Sequence, residues 1–437
     1  MIFPTFMEIN INLKNSFLKT MVERKIRNKY FISLILVILF ESLNNIYLNY
    51  SNQLIKILFN SYIYISIFLI IFNFKRKLLQ DFTKKINFIF FLFLGYGVFE
   101  IFFNIDPSFV YFSSNFYIST FGNFAYGPIF LVPIFFLWVT KENSLNYFEK
   151  ISFYCVVLGV LLNSIFFLIE KKLILTLLLP TFYLLGGFKY RSNFQKIIII
   201  VSIFLSFTYF LTENYRSGAI RIILSLIPFL LIYLNMIKIN KILLILFLFF
   251  PFFIIFGALN DYPLIFSEIQ KIYIDSNFNP YYVDTRSFLY KEFFEELKNS
   301  NLITILLGKG ALGTYYSPYF EQIYNSQLFS HGGDFYIRSL SEVGIIHLLL
   351  KGGFVYFFLF FSFLYIILFK GFKKANNSYI KYQILNLSIF FTYMTVENRP
   401  YFSLLYICFW IILGFCSSNK ILDLNDQEIR KNIFEKN

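Results

Sequence analysis

The chain is a succession of long apolar runs separated by short polar stretches. Runs at about 30–48, 57–74, 86–103, 121–139, 151–169, 173–188, 220–237, 242–258, 353–369, 380–396 and 401–416 recur along it, and one more extends from Lys196 to about 211. Each approaches the roughly 20 residues that a helix needs to cross a hydrocarbon layer about 30 Å thick. The pattern predicts an all-α polytopic membrane protein of about twelve transmembrane helices. One long interval breaks it. Residues 259–339 carry nine acids and six bases, a density that lipid does not accept. The predicted organisation is a polar tail at 1–29, spans one to nine over 30–258, a long loop with amphipathic helices at 259–339, spans ten to twelve over 340–417, and a second polar tail at 418–437.

Composition agrees with the pattern. Of 437 residues, 57% are hydrophobic and 15% charged, against roughly 25% charged in soluble domains, and the mean hydropathy is +0.63. The net charge of +14 follows the positive-inside rule better than it suggests nucleic acid. Basic clusters (Lys14 to Lys29, Lys75 to Lys85, Lys189 to Lys196, Lys370 to Lys374) alternate with base-poor loops such as 104–120. Both termini are therefore expected in the cytoplasm and the 259–339 loop on the outer side, the periplasm in a Gram-negative cell. The basic turn Glu170-Lys171-Lys172 runs against the trend. No cleavable signal peptide is expected before the first span. Cys155, Cys408 and Cys416 sit inside apolar runs without metal-ligand spacing, so neither a disulfide framework nor a zinc site is expected.

Candidate chemistry collects in and beside the long loop. In the stretch from Asp284 to Phe294 a plausible N-cap precedes Leu289, Phe293 and Leu297 at i, i+4 and i+8, an amphipathic helix able to lie on a membrane surface. Arg286 falls in its first turn, where a cation opposes the helix dipole unless an anion is near. The turn Gly308-Lys309-Gly310-Ala311-Leu312-Gly313 matches a dinucleotide fingerprint by letters only, with no βαβ unit around it; what remains is a glycine turn whose N–H groups can face an anion. His331 precedes Asp334, Arg338 and Glu342, and its ordinary pKa suits a general base. His347, in an apolar stretch, reads as packed in the bundle. Arg216 and Arg221 flank the start of span eight on the same outer side, where an anionic lipid or phosphate is the obvious partner. Glu41 and Glu100 lie within spans and are expected to face the bundle interior or a polar cavity. The outer side has no Asp-x-Asp pair, and no Ser/His/Asp or zinc-protease arrangement occurs.

In this order, "TENYRSGA", "DTRSFLYKEFF", "GKGALG" and "SHGGDFYIRSLSEVGIIHLL", the chain resembles the O-antigen polymerase (Wzy) and O-antigen ligase (WaaL) superfamily over about 210–369. The most specific element is His331 followed by Glu342 and Gly344 ahead of a membrane helix. Gly332 stands where many members have asparagine after the histidine, and the Arg-x10-Gly spacing of some polymerases is absent. The resemblance implies a GT-C-like membrane fold and a glycosyltransferase without metal or nucleotide cofactor. Its donor would be an oligosaccharide on undecaprenyl pyrophosphate. Arg216, Arg286 and His331 would be catalytic, with Arg221, Lys309, Asp334, Arg338 and Glu342 binding diphosphate or sugar. A repeat-unit polymerase for O-antigen or capsule is the preferred expectation, in the bacterial inner membrane and with a chain-length regulator as a further partner. The alternatives are the ligase that moves polymer onto lipid A-core and, from another class, a lipid-linked oligosaccharide flippase or transporter, which should show related halves and broken helices.

Overall fold

The computed structural model describes residues 64–65, 67, 83–102, 127–138, 142–170, 177–212, 216–259, 285–318, 321, 337–338, 341–397 and 403–435. The chain divides into two units, Met1–Phe74 and Lys75–Asn437, and the account below concerns the second. The expected spans at 30–48 and 57–74, with Glu41, lie almost wholly outside the described residues, as do Asp284, His331 and Asp334.

The described chain is mostly helical. It runs through α1 (Lys84–Phe102), α2 (Glu142–Glu170), α3 (Asn193–Thr212), α4 (Arg216–Tyr233), α5 (Ile237–Leu259), α6 (Thr285–Lys298), α7 (Leu302–Leu307), α8 (Gly344–Lys374), α9 (Ser378–Tyr393) and α10 (Leu404–Ser417). Among the described residues, five helices are long and apolar enough to cross a membrane: α1, α2, α3, α5 and α8. Shorter apolar helices cover Gly218–Tyr233 and Leu404–Ser417. Their outer faces carry what a soluble protein would hide. Phe88, Phe204 and Phe253 are 68%, 68% and 70% exposed, the pattern of helices whose solvent is lipid.

At the centre stand α8, α9 and α10, with α9 antiparallel to the other two and α9 and α10 almost entirely buried. α1 packs on α8, and α4 and α5 pack on α9. Aromatic rings do much of the filling: Phe93 lies 4.6 Å from Tyr356 and 5.6 Å from Trp410, centroid to centroid, distances at which stacked rings attract.

Three expected spans take other forms. Of the run at 121–139, the described residues 127–138 form two 3-10 stretches, Gly127–Phe130 and Val132–Trp138; Pro133 has no N–H to offer a regular helix. Of the run at 173–188, the described residues from 177 onward hold one helical turn, Thr181–Leu184, continued by a 3-10 stretch, Leu185–Tyr190. Gly186 and Gly187 stand within it where the side chains of Tyr382, Gln383 and Phe434 fill the space a Cβ would take. The run at 353–369 begins nine residues earlier than its hydropathy suggests, since α8 starts at Gly344 and bends at Gly353, φ 61°.

The C-terminal tail is also structured. Short helices Asn419–Asp423 and Asp426–Ile429 lead into a π turn, Arg430–Phe434. A capping box at Asn425 and Glu428 starts the second. The Asp426 carboxylate accepts from Lys189 Nζ at 2.7 Å, Tyr190 Oη at 2.7 Å and the Ser378 N–H at 2.8 Å. Phe434 stacks on Tyr190, 5.4 Å between centroids. Burial pushes the Asp426 acid up, but its three donors outweigh that and hold it at about 2. A depressed carboxyl contributes stability that is present above the free value, about 4, and lost as pH falls through the folded value. Asp426→Asn is therefore expected to cost about 1 kcal/mol at pH 7, allowing for partial exposure. Thermal unfolding from pH 7 down to pH 2 should show the two proteins converging at the acid end.

Candidate functional site

The end of the bundle opposite the tail is built around the last turn of α9. Helices α4, α6 and α8 all bring their N-terminal regions to it. α8 begins there, its Gly344 and Ile345 N–H groups donating to the carbonyls of Glu397 (3.1 Å) and Met394 (3.0 Å). α6 begins there too: Arg286 Nε donates to the Val396 carbonyl at 2.9 Å, and Tyr290 Oη to the Thr395 carbonyl at 2.7 Å. Arg286 thus sits on the carbonyl-rich, negative end of α9, which offsets its unfavourable place in the first turn of α6. Tyr393 joins the two sides. Its hydroxyl donates to Glu397 at 2.9 Å, and its ring lies 5.5 Å from the Arg221 guanidinium of α4.

Arg221 faces into the bundle, 7% exposed and set over Phe182, Phe390 and Tyr393 at 5.1, 5.2 and 5.5 Å. A guanidinium caged by three ring faces is held by cation–π attraction and secures α4 to α9. Arg216 is the first residue of α4, and its side chain lies outside the described ones.

α6 is the expected amphipathic helix: Leu289, Phe293 and Leu297 are all buried. Its apolar face meets protein rather than a membrane surface. Phe293 packs edge-on to Tyr315, 5.9 Å between centroids. The flank beside it presents Glu292 and, one turn on, Glu295 and Glu296. With Asn299, Lys309, Thr314, Tyr315, Tyr316 and Ile337 they line a groove of about 560 Å³, within the range of small-ligand sites. Strand β1 (Tyr315–Tyr316) forms one wall and pairs antiparallel with β2 (Ile337–Arg338).

Here two further expectations change. Lys309 does not stand open to a diphosphate. It is ion-paired with Glu296 and donates to the Thr314 carbonyl at 2.7 Å. The glycine turn does not offer its N–H groups to an anion either. Lys309 N–H goes to the Leu350 carbonyl (2.8 Å), Gly310 N–H to Lys351 (2.9 Å) and Ala311 N–H to Glu100 (3.0 Å). The turn is a plug for the bend in α8. Helical bonding falters around Gly353, and carbonyls near the break are met by the turn's donors. Gly308 and Gly310 both take positive φ, 79° and 80°, which glycine alone adopts cheaply.

Arg338 pairs with Glu342 at 3.3 Å where β2 leads into α8. His347 is fully buried in α8, as expected, and so is Glu100 in α1. Sequence reading missed the groove's carboxylates and tyrosines. The spacing Glu292, Glu295, Glu296 was the available signal, but only the fold shows that this face is opposed by β1.

The groove carries three carboxylates against one lysine. Carboxylates at such a site accept hydrogen bonds from hydroxyl or ammonium groups, and tyrosine rings pack against apolar faces of a ligand. The α9 turn brings Arg221, Arg286 and helix N-termini together beside the carbonyl end of α9 and the Glu397 carboxylate. Comparison with protein families, with curated proteins and with solved structures finds no match.

Proposed function

We propose that the protein is a membrane glycosyltransferase of the repeat-unit polymerase type, acting on an oligosaccharide linked to undecaprenyl pyrophosphate. The observation that carries this reading is that the N-terminal regions of α4, α6 and α8 meet around the last turn of α9, with the Arg221 and Arg286 guanidinium groups beside it. Helix N-termini and guanidinium groups together favour a diphosphate that gains charge as it leaves. Beside this turn lies an acidic, tyrosine-walled groove suited to a sugar acceptor. The β1–β2 pairing returns both ends of the segment carrying His331 and Asp334 to that groove.

In this reading the acceptor hydroxyl oxygen forms a bond to the anomeric carbon of the donor. The carbon–oxygen bond to the diphosphate breaks, undecaprenyl pyrophosphate departs with the electron pair, and the hydroxyl proton passes to His331. Arg338 and Glu342 order the entry to α8, and Lys309 orders the groove through Glu296. Arg221 takes a supporting place in the cation cluster. The protein would span a bacterial inner membrane about twelve times in a GT-C-like arrangement, with this end facing the periplasm and both tails in the cytoplasm. The product would be O-antigen or capsule, and a chain-length regulator would be a partner. The bend in α8 is what a transporter would use to hold an ion or substrate, but the glycine turn fills much of it, so transport is the weaker reading.

Deleting the gene and running surface polysaccharide on a gel tests this. A polymerase deletion leaves core carrying one repeat unit. Bare core with lipid-linked polymer accumulating assigns the ligase instead, and bare core without such polymer assigns a flippase. In a polymerase, Arg286→Ala at equal protein level should lower polymer yield by about 100-fold or more, with Arg286→Lys partly restoring it. Unchanged yield in Arg286→Ala removes that residue from the chemistry.

A further inference from the structure

Glu100 sits in the last turns of α1, fully buried. Neither of its carboxylate oxygens makes a hydrogen bond of full geometry among the described residues. It lies against the bend in α8, since its own backbone carbonyl takes the Ala311 N–H of the glycine turn at 3.0 Å. The group that faces the carboxylate is Tyr96, one turn earlier on α1. The Tyr96 hydroxyl stands 3.2 Å from the Gly352 carbonyl and 3.3 Å from the Leu307 carbonyl. It has one hydrogen and can serve one of these at a time.

The place therefore gathers five oxygens: two of a carboxylate, two backbone carbonyls and one phenol. Only the phenol brings a hydrogen. The nearby lysines are engaged elsewhere, Lys351 with the Gly313 carbonyl at 2.8 Å and Lys309 with Glu296 and Thr314. Buried oxygens in such excess over donors call for a positive charge. A proton shared with Tyr96 would neutralise Glu100 but would still leave the carbonyls of Leu307 and Gly352 with one hydrogen between them. A hard cation reaches further: metal–oxygen contacts of roughly 2.3–2.6 Å let it bridge oxygens about 5 Å apart. One carboxylate balances one charge. The set holds oxygen alone, without the nitrogen or sulfur that transition metals prefer. Carbonyls freed where a membrane helix breaks are the ligands that Na⁺ takes in other settings.

We infer that the notch formed by Glu100, Tyr96 and the carbonyls of Leu307 and Gly352 binds a monovalent alkali cation, which locks α1 to the bend of α8. This stands apart from the glycosyltransferase reading and survives its failure. The test is thermal unfolding of the full-length protein in nanodiscs, in NaCl, KCl or N-methylglucamine chloride at equal ionic strength and pH 7. Ligand binding to the folded state raises its midpoint, so Na⁺ or K⁺ should raise it by about 3 °C or more over N-methylglucamine, saturably. Glu100→Gln should remove the shift and Tyr96→Phe should weaken the apparent affinity about tenfold, a change of about 1.4 kcal/mol. Should Glu100→Gln fail to fold, Tyr96→Phe and equilibrium binding of ²²Na⁺ to the native protein decide. Identical midpoints in all three salts, an ion shift that persists in Glu100→Gln, or no ²²Na⁺ binding would overturn the inference.

Discussion

Gly353→Ala is expected to destabilise the protein by about 4 kcal/mol or more, enough to remove most folded material from the membrane. Two penalties add. Residue 353 has φ 61° and ψ −169°, a conformation essentially reserved for glycine. A Cβ there would also run into the backbone of Leu306 and Gly308, which cannot move because the glycine turn is bonded to the carbonyls of Leu350 and Lys351. Gly308→Ala should behave alike, since its Cβ would fall 2.6 Å from the Lys351 carbonyl at φ 79°. Backbone collisions of this kind belong to the short set of large single-residue effects. Gly95→Ala is the control: nothing lies within 4 Å of its Cβ position in α1, and a helical alanine is worth up to about 1 kcal/mol over glycine. Detergent-extracted yield and the thermal midpoint of the three variants measure the contrast.

Breaking the ion pair of Glu149 and Arg191 should be nearly as damaging. Both side chains are 3% exposed. Tyr379 donates a second hydrogen bond to the carboxylate, and the guanidinium lies between Phe153 and Phe434 at 5.6 and 5.1 Å. Glu149→Ala leaves a buried cation without its counter-charge, a loss of about 3–5 kcal/mol. Replacing both members by methionine removes both charges and keeps volume, so the double variant should recover most of that loss. A double-mutant cycle on thermal midpoints reads the coupling. A double variant no more stable than Glu149→Ala would mean that the pair is not what holds the tail, 185–190 and α2 together.

These effects also mark where sequence reading succeeded and where it ran out. Hydropathy located α1, α2, α3, α5 and the main part of α8, because lipid-crossing length is a local property of the chain. The period of Leu289, Phe293 and Leu297 located α6 and its buried face. What lay beyond reach was non-local. Nothing in the letters Gly-Lys-Gly says that its N–H groups belong to carbonyls some forty residues later, so a glycine turn that plugs a bent helix looked like an anion cradle. Arg221 looked like a boundary cation because the three rings that cage it come from residues 182, 390 and 393. Lys309 looked available because Glu296 is on another helix. In each case the charge was correctly noticed and its partner was supplied by the fold. Arg286 fared better: its first-turn position was legible, and the α9 carbonyl end that it meets explains how the position is tolerated.

The proposed function joins the cation-rich turn of α9 to the acidic groove beside it, donor diphosphate at one and acceptor sugar at the other. Reconstitution tests the pairing directly. The purified full-length protein in nanodiscs is given a single species of undecaprenyl-pyrophosphate-linked oligosaccharide, and products are followed by mass spectrometry. The account predicts lipid-linked chains lengthened by whole repeat units, one undecaprenyl pyrophosphate released per bond formed, and both lost together in Arg286→Ala. Substrate left intact by active-folded protein, or diphosphate released without chain growth, would contradict it.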